Sequence, residues 1–393
     1  MRVWAHHGQD AEHTALLEVA RAFNASQTEA HVELSFFPDF QYAEKLAIAA
    51  AASDMPAAFE LDGPLVARFV DAALLSPLDS FFTSADLADF LPTILQQGTI
   101  AGKLYALGAF DSAALLYFDR QLFDRARLQQ PDATHGYDWQ ELLDACERLK
   151  RQGIEPLALH MNETADEWYT YAFSPVVWSG GGALIGSDGS SIRGVLASAT
   201  NVSSLSQWQR LFRHAYAQTD PLDPDPFGNG RAAMDWSGHW MLRSHLLRKA
   251  GRLGVMPLPR MGSMAVAPCG SWCWGIAAQG HQQGLAAQWV RWVTSTDNGV
   301  VPLVRANAAV PARHSAFATF PEYQRLPHRL LRDQLEHARP RPRTPFYATL
   351  TQHFAAALRD IARGARVAER LLLAEEQVAR VVERRLGTAM ARR

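Results

Sequence analysis

The first 75 residues alternate strand and helix patterns three times, and that order leaves few folds open. Val3-Trp4-Ala5 is a short apolar run. Asp10 is a candidate N-cap for a helix with Leu16, Leu17, Ala20 and Phe23 at helical spacing. Within residues 31–37, Val32, Leu34 and Phe36 alternate as in a strand. Tyr42, Leu46 and Ala49 then mark a second helix, and Ala57–Leu61 a third strand. Pro64 suits the first turn of a further helix through Val66 and Phe69. A β-α-β-α-β-α order predicts a mostly parallel sheet covered by helices. Such sheets bind ligands in the loops that follow their strands. Here those loops are Ala5–Asp10, Pro38–Gln41 and Leu61–Gly63.

Beyond residue 100 the pattern changes. Lys103–Leu107 and Ala114–Phe118 read as strands flanking Gly108–Ser112. Helical patterns follow at Trp139–Arg151, Val202–Ala217 and Gly238–Arg248. Residues 173–189 carry Trp178 and a Gly180-Gly181-Gly182 run, and Asp220–Gly230 is a loop by composition. Residues 355–382 read as one helix, with Leu371, Ala374, Val378 and Val382 on one face. At roughly 150 residues per domain, 393 residues suggest two or three domains.

Composition narrows the function. Apolar residues make up 48% and charged residues 20%, so the chain can bury more than one core. A net charge of -2 speaks against a general nucleic-acid field. No apolar run reaches membrane-spanning length. Three cysteines do not make a disulfide framework. Cys146 fits a core position. Whether Cys269 and Cys273 pair stays open, because an extended segment would hold them too far apart.

Several chemistries are missing. No phosphate-binding G-x-x-x-x-G-K-[ST], no dinucleotide G-x-G-x-x-G after a strand, no G-x-S-x-G elbow and no H-E-x-x-H occur. His6, His7, Glu12 and His13 have the side chains of a zinc site but no second cluster, so no metal or cofactor is expected. Asp39, Asp62, Asp111, Asp166 and Glu167 lie in loops. Paired carboxylates would serve a glycosidase. The same groups also accept hydrogen bonds from sugar hydroxyls. Trp168, Trp178, Trp236, Trp240, Trp272 and Trp274 add flat apolar faces with one N–H each, which suit a pyranose.

Ordered blocks across the chain then point to a family. They are Val3–His7 with Glu12; Asp62-Gly63-Pro64 through Ala73-Leu74-Leu75-Ser76-Pro77-Leu78-Asp79; and Gly102–Leu107 with Phe110–Ser112 and Leu115–Asp119. Next come Gly230–Trp240, Gly254–Pro259, Gly270-Ser271-Trp272 with Gly275-Ile276, and Arg341–Pro345 with Tyr347. In these blocks the chain resembles the extracellular solute-binding proteins of carbohydrate ABC transporters, family 1, the maltose-binding-protein class. The His6-His7 pair and Cys273 beside Trp272 depart from the family pattern.

The resemblance implies an α/β fold of the type II periplasmic-binding-protein kind, two α/β lobes joined by a hinge around a ligand cleft. Residues 1–110 plus 268–310 would form the N-terminal lobe, and 111–267 plus 311–393 the C-terminal lobe. The chain would cross near 109–112, 265–270 and 309–313. The implied function is capture of a sugar or glycoside, a disaccharide first, by lobe closure and delivery to ABC permease subunits. An anionic glycoside or glycerophosphodiester is the alternative ligand, and a carbohydrate-active hydrolase using loop carboxylates the alternative of another class. The implied protein is not an enzyme, binds no nucleic acid, is a monomer, and is exported to the periplasm or exterior. Met1-Arg2 leads straight into a strand, so the signal peptide is absent from this sequence. The ligand-binding set so implied is His6, His7, Glu12, Phe40, Gln41, Asp62, Asp111, Glu167, Trp236, Trp240, Gly270, Trp272 and Arg343. Asp62 and Asp111 would accept from hydroxyls, Arg343 would donate, and Trp272 with Trp236 or Trp240 would stack.

Overall fold

A computed structural model describes residues 1–391 apart from 132 and 281; the side chains of 39, 40, 386 and 388–391 also lie outside the described residues. The chain divides into two compact units, Met1–Ser112 with Cys269–Tyr323, and Ala113–Pro268 with Gln324–Arg393.

The first unit is built on a five-stranded sheet in the order Glu33–Phe37, Arg2–His6, Ala58–Asp62, Trp272–Ile276, Ala106–Gly108. The first three strands are parallel, as the alternation predicts. Of the last two, only Trp272–Ile276 breaks that direction. Trp272–Ile276 runs antiparallel to both of its neighbours. It enters from a distant part of the chain and needs no crossover helix, so its direction is invisible to local pattern. Helices Asp10–Ser26 and Gln283–Val293 bury apolar faces that include Leu16, Val19, Phe23, Trp289 and Val290. The predicted cap fails in detail. The first helix begins at Asp10, and Gln9 in the cap position makes no side-chain bond.

The lobe boundary expected near residue 310 lies later in the structure. Residues 311–323 belong to the first unit. Val310–Pro311 pairs with Phe110–Asp111. The Arg313 guanidinium donates to the Thr294 carbonyl and to Asp89, and the Tyr323 hydroxyl donates to the Ala309 carbonyl. These buried polar links keep the segment with the first core.

The second unit has a four-stranded sheet in the order Leu253–Met256, Ala114–Asp119, Ala232–Gly238, Glu155–Ala158. Its core gathers Phe118, Trp208, Trp236, Phe173 and Leu358 among many others. The Trp139–Arg151 helix matches its predicted bounds and opens on a capping box between Asp138 and Glu141. The C-terminal helix is two helices, Tyr347–Ala362 and Val367–Ala391. Gly364 at φ +100° turns the chain between them. Leu371, Ala374, Val378 and Val382 are all buried, as their spacing predicts.

The glycine run at 180–182 serves packing. A Cβ on Gly182 would lie 1.9 Å from Asn201 Oδ1 of the Ala199–Arg213 helix. All three cysteines are buried.

Candidate functional site

In the first unit, register places four residues at one end of the sheet. His6 pairs with Phe37 at the carboxyl ends of two parallel strands, and Asp62 pairs with Trp272 beside them. This is the end where parallel sheets present ligand loops. The His6 ring lies flat on Trp272, with centroids 3.8 Å apart and planes 9° from parallel. His6 Nδ1 is 2.7 Å from Glu60 Oε2, and His6 Nε2 is 3.8 Å from Glu12 Oε1. His6, Glu12 and Glu60 are buried, whereas Trp272 and Asp62 are partly exposed. Tyr42 flanks Trp272 at 5.7 Å and donates its hydroxyl to the carbonyls of Trp4 and Glu60. Burial, reinforced by Glu60, pushes the Tyr42 phenol well up, so it stays a neutral donor.

The second unit carries a separate aromatic face. Partly exposed Trp240 folds over Gly238, where a Cβ would lie 2.1 Å from the indole. Its ring stands 5.6 Å from Tyr171 and 6.1 Å from Trp168. The Arg341 guanidinium sits 5.4 Å over Tyr171 and pairs with Glu167, which also accepts from the Tyr347 hydroxyl. Beneath Trp168, the His160 ring meets the indole edge-on at 5.7 Å. His160 in turn bonds the buried Asp235, which also holds His245 and Ser237.

The structure therefore divides the expected ligand set. His6, Glu12, Asp62 and Trp272 gather at one sheet end. Trp240 and Glu167 gather in the second unit, and Arg343 of that unit is exposed. His7 turns away to stack on His13 at 4.8 Å, and Gln41 is exposed on its helix. Phe40 falls outside the described side chains. Among the described residues, no three of His, Cys, Asp and Glu are grouped to hold a metal.

Three residues of the set are built into the framework instead. Trp236 is fully buried and donates Nε1 to the Ala172 carbonyl, so it cannot present a face to a ligand. It points inward because Ala232–Gly238 is a central strand buried on both faces. Asp111 is also fully buried. It accepts from the amides of Ser112 and Gly270 and from the Gln97 side chain. Gly270, at φ +123°, spends its N–H on Asp111 and its carbonyl on the Ser112 hydroxyl. Asp111 and Gly270 thus tie together two stretches where the chain passes between units.

Sequence reasoning missed Glu60, His160, Asp235, Tyr171 and Arg341. Two of these carried a signal. Glu60 interrupts Ala58-Phe59-Glu60-Leu61, and Asp235 interrupts Ala232-Ala233-Met234-Asp235-Trp236. A carboxylate inside an apolar strand needs a buried partner. Here each has found a histidine.

Two α/β units joined by three passages of the chain make the fold of the type II periplasmic binding proteins. The sugar-binding protein MalE of Xanthomonas citri superposes with a TM-score of 0.84 at 19% identity, over 99% of this chain and 98% of that one. UgpB of Mycobacterium tuberculosis, solved with glycerophosphocholine, gives 0.83 at 20% identity over 98% of each chain. The family model for bacterial extracellular solute-binding proteins matches residues 9–300, and the chain belongs to that family. A protein of Brucella abortus named as a binding protein is 30% identical over 127 residues, 31% of this chain. That alignment spans only 29% of the relative's own length.

Proposed function

We propose that this chain is the substrate-binding component of an ABC importer, capturing a sugar or glycoside outside the cytoplasmic membrane and delivering it to permease subunits. The observation that carries this reading is the partly exposed Trp272, backed by His6 and in register with Asp62. An indole face takes the C–H side of a pyranose, and a neighbouring carboxylate takes its hydroxyls. Trp240 with Glu167 repeats that chemistry in the second unit. Micromolar binding needs about 8.2 kcal/mol net. Charge-assisted hydrogen bonds at about 1.5–3 kcal/mol each, with stacked indoles, supply that after ordering costs. A disaccharide is the ligand class we favour.

A glycerophosphodiester is the second reading. The exposed Arg343 and the likeness to UgpB favour it.

A thermal-shift panel tests both. It holds maltose, trehalose, sucrose, monosaccharides, phosphorylated glycosides and glycerophosphocholine, after stripping any co-purified ligand. Saturation at about 100 times Kd adds about 2.7 kcal/mol, a readily measured shift. A shift from one carbohydrate class that disappears in Trp272→Ala supports the leading reading. Response to glycerophosphocholine alone moves the assignment to the second. Slow cleavage of a disaccharide in an overnight digest would sink both and return the hydrolase.

A further inference from the structure

His6 and Glu12 are placed to act on Trp272 rather than on a ligand. Both are buried, and the His6 ring covers one face of the indole at 3.8 Å. Both ring nitrogens of His6 face carboxylates. Nδ1 lies 2.7 Å from Glu60 Oε2, which also accepts from the His6 amide at 3.2 Å. Nε2 lies 3.8 Å from Glu12 Oε1. The Gly8 backbone, at φ +60°, closes over this row; a Cβ there would sit 3.0 Å from His6 Nε2 and 3.3 Å from Glu12 Cδ.

Among the described contacts, two carboxylates face the His6 ring. The Ala58–Asp62 strand contributes Glu60, with Asp62 at its end beside Trp272. The Asp10–Ser26 helix contributes Glu12. The helix Asp39–Ala51 contributes Tyr42, held neutral by burial. The Trp272–Ile276 strand contributes the indole itself, and His7 turns to His13. A neutral imidazole donates from one nitrogen only, and its other lone pair would confront a carboxylate. The imidazolium donates toward both, and two buried acids favour the cation. A cationic ring lying flat on an indole adds a cation–π attraction.

We propose that His6 is a positioning residue, carried as an imidazolium between Glu12 and Glu60, whose charge fixes the indole of Trp272 for the ligand. This rests on the reading that Trp272 meets the ligand. It changes the role expected of His6 and Glu12 from contact to support, and it makes the binding face proton-linked.

The test uses the full chain labelled with 15N-histidine and 5-fluorotryptophan. Long-range 1H–15N spectra of the His6 ring are assigned through His6→Gln, and the fluorine resonance of Trp272 through Trp272→Phe. The expected result at pH 7 is both His6 nitrogens at imidazolium positions. Glu12→Gln lowers the pH at which His6 titrates by about one unit or more. The Trp272 fluorine follows that titration and moves in both variants, while the Trp236 fluorine stays put. A neutral His6 at pH 7 overturns the proposal. So does a Trp272 resonance that is unchanged in both His6→Gln and Glu12→Gln. Circular dichroism checks that each variant is folded, and Glu12→Gln carries the test by itself if His6→Gln is not. The ligand reading fails separately. Trp272→Ala would then leave the panel shifts intact even though His6 and Trp272 remain coupled in the spectra.

Discussion

His160 Nε2 lies 2.6 Å from Oδ1 of the fully buried Asp235, and the other oxygen of that carboxylate bonds His245 Nε2 at 2.7 Å. Burial opposes charge on His160, but the carboxylate outweighs it and raises the imidazole above its ordinary 6.5. Burial alone would raise the Asp235 carboxyl too. His160 and His245 instead hold it well below its ordinary 3.8.

These shifts give stability a pH window. The His160 contribution is complete below pH 6.5 and is lost as pH rises through the raised value. The Asp235 contribution is complete above about pH 3.8 and is lost as pH falls toward the depressed value. The pair therefore stabilises the second unit most between about pH 4 and 6.5. Urea melts from pH 3 to 9 should show this window, and His160→Ala should flatten its alkaline side. An unchanged alkaline slope in His160→Ala would sink the linkage. Asp235→Ala, which strands two buried imidazoles, should cost about 3–5 kcal/mol.

Asp111 joins two chain passages through backbone amides. Asp111→Ala leaves the N–H groups of Ser112 and Gly270 without their acceptor, at about 1–3 kcal/mol each. Asp111→Asn should be milder. Burial raises the Asp111 carboxyl above 3.8, against the pull of its hydrogen-bond donors. Ionisation therefore costs stability as pH rises through and above 3.8, and an amide avoids that cost while keeping an acceptor. Equal losses in the two variants at pH 7 would contradict this account.

Trp236 and Trp240 lie four residues apart in sequence and should respond differently. Trp236→Ala empties a core position and should destabilise the protein by about 3–5 kcal/mol. Trp240→Ala removes a partly exposed ring and should weaken ligand binding by about tenfold or more. Calorimetric melts and isothermal titrations of both variants separate the roles. Comparable melting losses would place Trp240 in the framework as well.

Glu167 compensates the buried Arg341 and accepts from Tyr347. Glu167→Ala should destabilise the protein by about 2 kcal/mol, because a buried charge loses a carboxylate that compensates it. The double variant with Arg341→Met removes both charges and should recover part of that loss. A double variant no better than Glu167→Ala would show that Arg341 is not the group left stranded.

Much of the architecture was written in local pattern. The alternation of the first 75 residues determined the three parallel strands, because helix and strand periods of apolar residues dictate which faces must be buried. The Trp139–Arg151 helix followed from its cap and its spacing in the same way. The ordered blocks pointed to the family on the same local grounds. What no local pattern held was decided by contacts between residues far apart in the chain. Trp236 and Trp240 have similar neighbours in sequence, yet one lies in a strand buried on both faces and the other in the turn beyond that strand's end, a difference only packing decides. Asp111 is placed in part by the Gly270 amide, more than a hundred residues away. His6 finds Glu60 and Trp272 only once three strands lie side by side. The sequence thus determined which elements form. Tertiary structure decided which polar and aromatic side chains meet, since a buried charge takes the partner that folding brings to it.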